Sequence, residues 1–160
     1  MFGLKKKSEA PKRSKLVVAA PLSGKLIDLS SVNDAVFSKK MMGEGFAIKP
    51  ENGQVVAPVA GTAITVFPTG HAVGIRTKDN VDVLVHIGLD TVNLKGEGFK
   101  TLIQEGDEVR IGQPIVDFDQ DVIEKNGFET TTMVVFTEGF KRPIKVNPKQ
   151  VKAGDVLIQA

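Results

Sequence analysis

Short apolar runs separated by turn-forming residues dominate the sequence from residue 16 onward. The clearest runs span residues 16–20, 54–57, 81–85 and 133–136, and Gly, Pro, Asn or Asp residues lie between them. Turn signals that recur about every 8–12 residues are typical of antiparallel sandwiches and barrels. The sequence therefore predicts an all-β fold, an antiparallel β-sandwich or barrel-like single domain.

Helix signals are few. Asp119 can cap a helix over residues 120–126, and Gly127 can end it. A single helical turn is plausible over residues 34–39. We expect one or two short helices in a domain made mostly of strands.

Two pairs of similar segments indicate an internal duplication. Residues 20–24 (APLSG) resemble residues 57–61 (APVAG), and residues 109–116 (VRIGQPIV) resemble residues 151–158 (VKAGDVLI). The alternative is chance reuse of common turn-and-strand pieces.

Charge divides the chain into two parts. Residues 1–15 contain six basic residues and one acidic residue, so the remainder carries a net charge of −3 within a total of +2. We expect a flexible basic arm at residues 1–15 and one domain at residues 16–160. An acidic body without a basic, aromatic-rich patch argues against nucleic-acid binding. The arm, with Phe2 and Leu4 before three lysines, could contact an anionic membrane or act only as a solubilising tail.

Composition narrows the chemistry and the location. The chain has no cysteine, which excludes disulfides and thiol catalysis. It has no apolar run near the roughly 18 residues of a membrane span, and no secretory signal. We expect a cytoplasmic protein.

His71 and His86 are the only histidines. A turn over residues 77–80 joins the segments that contain the two histidines. A loop centred between Lys78 and Asp79 would place the histidines directly opposite each other, with their Cβ atoms about 5 Å apart. Moving a two-residue loop to residues 79–80 makes them diagonal neighbours, whereas an odd loop would put them on opposite faces. His86 lies on the less apolar face of its strand. From the residues alone, such a pair could bind a metal, act in acid–base catalysis or carry a phosphoryl group.

Longer segments around these histidines resemble the glucose-type enzyme IIA family of the bacterial sugar phosphotransferase system (PTS). The similar segments are residues 34–50, the run around His71, and residues 84–99, and the resemblance covers essentially residues 16–160. Asn80 replaces an expected turn glycine, and Gly70 stands where Asn or Lys is common. Neither departure touches the expected chemistry.

The resemblance implies an active site in a shallow depression of an antiparallel β-sandwich. His86 would accept a phosphoryl group from HPr and donate it to the IIB domain of a IIB/IIC sugar permease, while His71 would contact the phosphate. Thr69, two residues before His71, could orient that ring or touch the phosphate. The absence of a phosphate-binding glycine loop suits a carrier that uses no ATP and requires no cofactor.

The resemblance also implies a docking surface around the histidines. Asp34 and Asp90 would be rim carboxylates that meet basic partners, although ordinary turn aspartates are the alternative. Apolar side chains would surround the depression, unless some belong to the core: Val36, Phe37, Met41, Met42, Phe67, Leu84 and Val92.

The resemblance allows a second function, in which the unphosphorylated protein regulates non-PTS permeases or a glycerol kinase, as some relatives do. A zinc hydrolase is disfavoured because two histidines supply only two of the three ligands that catalytic zinc needs. His71 and His86 could still be zinc ligands in a complex, with the metal shared by a partner.

Overall fold

A computed structural model describes residues 16–160. The predicted basic arm, residues 1–15, lies outside the described residues. Within them the strands are β1 Val17–Ala19, β2 Gly24–Asp28, β3 Gly45–Pro50, β4 Gln54–Val56, β5 Gly61–Val66, β6 Ala72–Arg76, β7 Asp82–Ile87, β8 Phe99–Thr101, β9 Glu108–Val109, β10 Pro114–Phe118, β11 Thr132–Glu138, β12 Lys149–Val151 and β13 Val156–Gln159. The helices are α1 Ala35–Ser38 and α2 Gln120–Lys125, and 3₁₀ turns span Leu29–Ser31 and Thr91–Leu94.

The strands form an antiparallel sandwich, as predicted. An eight-stranded sheet has the order β9-β5-β6-β7-β11-β3-β2-β12, and smaller sheets pair β4-β10-β8 and β13-β1. The main core joins side chains of all three sheets, such as Val18, Ile48 and Ile115. No helix within residues 16–160 combines the length and the apolar character that crossing a membrane requires.

Part of the large sheet is also buried on its other face. Alternate residues of β2, β3 and β11, among them Ile27, Ala47 and Met133, form a second cluster with Phe37 and the loops that cover them. His86 is the cross-strand partner of Met133, which in turn pairs with Ala47. The imidazole of His86 therefore lies at the margin of this second cluster.

Hydrogen bonds support the predicted duplication. The Ala19 N–H donates to the Pro58 carbonyl, and the Val56 N–H donates to the Pro21 carbonyl, both at 2.8 Å. Ala19 corresponds to Val56 in the repeat, and Pro58 corresponds to Pro21. The two bonds are therefore equivalent under the duplication. Two further bonds are related in the same way: Gly154 N–H to Ala20 C=O, and Gly112 N–H to Ala57 C=O.

The helix predictions are confirmed. The Asp119 carboxylate accepts hydrogen bonds from the N–H groups of Asp121 and Val122 at the start of α2, and Gly127 follows its end with φ +87°. Asp34 caps α1 by accepting from the Val36 N–H at 2.9 Å.

The predicted register of the β6–β7 hairpin is wrong by one residue. Ala72, not His71, is the partner of His86. His71 instead lies opposite Ile87, whose N–H donates to the His71 carbonyl at 2.7 Å.

The turn explains this difference. Thr77 and Val81 close it with a backbone hydrogen bond of 2.9 Å, which leaves three residues at its tip rather than two. Asn80 takes the left-handed conformation, with φ +62°, and accommodates the extra residue. The loop is therefore odd, and regular strand alternation would direct the two histidines to opposite faces.

Candidate active site

The two imidazoles nevertheless meet. Their ring centroids are 5.0 Å apart and their planes are inclined by 83°. His71 occupies a bend just before β6, so the alternation of the strand does not extend to its side chain. Ala72 faces His86 across the strands with only a methyl group, which leaves room for the His71 ring. Convergence of the rings thus follows from the bend and the small neighbour, not from the predicted register.

The two rings differ in accessibility. His71 is only 4% exposed, whereas His86 is partly accessible. Phe67 packs edge-on against His71 with ring centroids 5.2 Å apart, and Phe37 packs against His86 at 5.0 Å. His86 is therefore the more accessible of the two imidazoles.

A backbone carbonyl determines the tautomer of His86. Its Nδ1 lies 2.9 Å from the Gly88 carbonyl oxygen. Because a carbonyl oxygen only accepts hydrogen bonds, Nδ1 must carry the proton. Nε2 of the neutral ring then keeps its lone pair and is the nucleophilic atom.

The loop after β7 places that carbonyl. Gly88 has φ +79°, a conformation that side chains other than glycine rarely adopt, and a Cβ there would meet the Thr91 methyl group and the Glu129 carbonyl oxygen. The Gly88 N–H donates to the Thr131 carbonyl at 2.9 Å. Sequence reasoning did not identify Thr91 or Thr131 as residues of the site.

A side-chain hydroxyl contacts the ring of His71. The Thr69 hydroxyl oxygen lies 2.5 Å from Nδ1 of His71. If the hydroxyl donates, Nδ1 is the acceptor and the proton of the neutral ring lies on Nε2. The predicted orienting role of Thr69 requires this contact, and the role itself stays a prediction.

Both rings are held neutral near pH 7. Burial, and secondly the positive charge of a protonated His86, lower the pKa of His71 from 6.5 to about 4. Burial also lowers the pKa of His86, against smaller opposing effects of the Gly88 carbonyl and the carboxylates of Asp34 and Asp90. Two neutral imidazoles can therefore lie side by side without charge repulsion.

The two predicted carboxylates are close enough to act on His86 electrostatically. Asp34 is partly exposed and its carboxylate is also the α1 cap, so a single residue has both roles. Asp90 is exposed, adopts the left-handed conformation with φ +59°, and makes no capping hydrogen bond.

The predicted apolar rim divides into exposed and buried members. Met41 is 71% exposed, and Val36, Phe67 and Val92 are also exposed. Phe37, by contrast, is a core residue of the second cluster, and its ring packs against His86 in a tilted arrangement. Met42 and Leu84 are partly buried. Phe37 departs from the expected surface role because the α1 turn directs it inward.

The described residues contain no group of three His, Cys, Asp or Glu side chains arranged to hold a metal ion. His71 and His86 offer two nitrogen ligands, so a shared zinc site would need further ligands from a partner. Relatives of the chain narrow the possible functions of this histidine pair further.

The family model for the phosphoenolpyruvate-dependent sugar phosphotransferase system, EIIA 1, matches residues 16–141. A glucose-specific EIIA component of Halalkalibacterium halodurans is 50% identical over 139 residues, covering 86% of this chain and 80% of that protein. A glucose-specific EIICBA component of Staphylococcus carnosus is 47% identical over 143 residues, which are 89% of this chain but only 21% of that longer protein.

A solved structure agrees with these relatives. The glucose permease IIA of Mycoplasma capricolum superposes with a TM-score of 0.86 at 40% identity, covering 92% of this chain and 96% of that one. The chain therefore belongs to the EIIA 1 family of the phosphoenolpyruvate-dependent sugar phosphotransferase system and is a phosphocarrier component of it.

Proposed function

We propose that Nε2 of His86 carries the phosphoryl group. The observation that supports this most directly is the Nδ1–Gly88 hydrogen bond, which leaves Nε2 as the free nucleophile of the more accessible imidazole. A lowered pKa keeps that lone pair available near pH 7.

The proposed transfer needs no strong base. The Nε2 lone pair attacks phosphorus, a new N–P bond forms, and the N–P bond of the donor breaks, so that the donor imidazole regains its electron pair. The product ring carries a formal positive charge and retains its Nδ1 proton. The Gly88 carbonyl, 2.9 Å from Nδ1, stabilises that charge as it develops.

His71 is proposed to stabilise the phosphoryl group. With Thr69 donating to Nδ1, the Nε2–H of His71 is free to donate to a phosphoryl oxygen. The ring lies 5.0 Å from His86 between centroids, within the reach of a group bound there. Its low pKa means that it donates as a neutral imidazole, without binding the dianion too strongly.

The proposed partners are HPr, as phosphoryl donor, and the IIB domain of a IIB/IIC sugar permease, as acceptor. Relatives named EIICBA components for glucose and for glucosides support a sugar permease as partner. The exposed rim of Val36, Met41, Phe67 and Val92 offers an adaptable apolar surface, and Asp34 and Asp90 add negative charge for basic partners. A cytoplasmic location follows from this role.

Phosphorylation with labelled phosphoenolpyruvate, enzyme I and HPr tests the assignment. The wild-type chain should take up an acid-labile, base-stable label, and H86Q should take up none. H71Q should accept the label and donate it poorly to IIB. Full labelling of H86Q would refute the site, and equal loss of acceptance in both variants would refute the division of roles.

Several finer expectations stay predictions. These are regulatory binding of non-PTS permeases or a glycerol kinase, zinc held by His71 and His86 with a partner, and membrane contact through residues 1–15. Pull-down with the phosphorylated and unphosphorylated protein, with and without zinc, tests the first two. Vesicle sedimentation of a chain that lacks residues 1–15 tests the third.

A further inference from the structure

Thr91 is a buried polar residue that has no role in the phosphoryl transfer proposed for His86 and His71. It is 0% exposed, and its hydroxyl donates a hydrogen bond to the Ile87 carbonyl. Threonine is common at the start of a helical turn, but this hydroxyl reaches back across four residues instead of capping its own 3₁₀ turn.

The peptide that Thr91 contacts lies between the two peptide groups that bond to the histidines. The Ile87 N–H donates to the His71 carbonyl at 2.7 Å, and the Gly88 carbonyl accepts from Nδ1 of His86 at 2.9 Å. Between these two contacts lies the Ile87–Gly88 peptide, whose carbonyl oxygen belongs to Ile87 and is the acceptor for Thr91.

The other side of this peptide is held as well. The Gly88 N–H donates to the Thr131 carbonyl at 2.9 Å. The Thr91 methyl group packs so closely over Gly88 that no Cβ would fit there. One peptide plane is thus fixed at its oxygen by Thr91 and at its nitrogen by Thr131, which sets the direction of the next carbonyl, that of Gly88.

We propose that Thr91 is a positioning residue for phosphoryl transfer: its hydroxyl fixes the Ile87–Gly88 peptide so that the Gly88 carbonyl keeps the proton of His86 on Nδ1. The proposal rests on the proposed role of His86. Without the Thr91 hydroxyl, the peptide can rotate and the Gly88 carbonyl moves out of line with Nδ1. The ring then populates the other tautomer, in which Nε2 carries the proton and cannot attack phosphorus.

Two variants of Thr91 and one control test this. T91V keeps the shape of the side chain and removes the donor, whereas T91S keeps the donor and removes the methyl group. The control T132V makes the same change at another fully buried threonine, whose hydroxyl donates to the Thr130 carbonyl at 3.0 Å. Equilibrium unfolding of each variant checks that the protein is folded under the assay conditions.

The first readout is the imidazole ¹⁵N spectrum of His86 in the unphosphorylated protein at pH 7.5. The second is kcat and KM for phosphoryl uptake from phosphorylated HPr. T91V should shift the His86 nitrogens toward a mixture of tautomers and lower kcat about tenfold with little change in KM. T91S and T132V should keep the wild-type spectrum and a rate within about twofold of wild type.

A wild-type tautomer or a wild-type kcat in T91V would overturn the proposal, as would T132V losing as much as T91V. Failure of T91S to retain the Nδ1–H tautomer would assign the effect to methyl packing and also overturn it. The spectrum needs no phosphoryl transfer. If wild-type His86 took up no phosphate, the proposed function would fail and the tautomer comparison would still decide whether Thr91 positions the ring.

Discussion

Acid should destabilise this protein through His71, and the size of the effect can be worked out. The pKa of the buried ring is about 4 in the folded chain and 6.5 ordinarily. Between these values the unfolded chain binds the proton more tightly, so stability is greatest above pH 6.5 and falls as pH decreases toward 4. At pH 5 the folded state should have lost about 2 kcal/mol through this one ring.

A comparison of wild type with H71Q isolates this contribution. Both proteins are unfolded with urea at pH 8 and at pH 5. The carboxylates and His86 contribute to the pH dependence of both, so their contributions cancel in the comparison. The wild-type loss between these pH values should exceed the H71Q loss by about 2 kcal/mol, or about 1 M in the urea midpoint. Equal losses in the two proteins would refute the claim that His71 is buried as a neutral imidazole.

Three other substitutions test the site. T69V removes the hydroxyl 2.5 Å from Nδ1 of the neighbouring histidine, and should slow donation to IIB about tenfold in a transfer assay while leaving acceptance nearly unchanged. G88A places a Cβ at φ +79° within 2.8 Å of a carbonyl oxygen, and should lower the free energy of unfolding by about 2 kcal/mol or more in urea titrations. M41S removes the apolar side chain of a residue that is 71% exposed without adding charge, and should raise the KM for HPr several-fold without changing Tm. The control V156S, at a residue 52% exposed in β13, should change neither, and an equal KM effect of both would contradict the proposed docking surface.

Most of the fold follows from local sequence signals. Apolar runs bounded by turn residues predicted the strands around Val18, Val55, Val83 and Val134. In each run the apolar side chains either alternate with polar ones or are continuous, and both patterns are typical of strands that pack in a sandwich. Asp119 identified α2 because its carboxylate can accept from the first free N–H groups of a helix.

The hairpin register shows where such reasoning stops. Whether a turn has two or three residues at its tip depends on Asn80 adopting a left-handed conformation, which the sequence permits but does not require. The convergence of the histidines was predicted from the wrong register. It arises instead from the bend at His71, which no periodic pattern describes.

The site was predictable in its side chains and not in its backbone. His71, His86 and Thr69 are visible as residue types at suggestive positions, and they do lie together. The Gly88 carbonyl and the Thr91 hydroxyl act through hydrogen bonds across loops, and such bonds depend on tertiary packing rather than on spacing in the sequence.

The most direct test of the account observes the bonded atom. With ¹⁵N-labelled histidine and phosphorylation by HPr, the phosphoprotein should show a one-bond ³¹P–¹⁵N coupling to Nε2 of His86, with its Nδ1 still protonated. Coupling to Nδ1 of His86, or to either nitrogen of His71, would contradict the proposed chemistry.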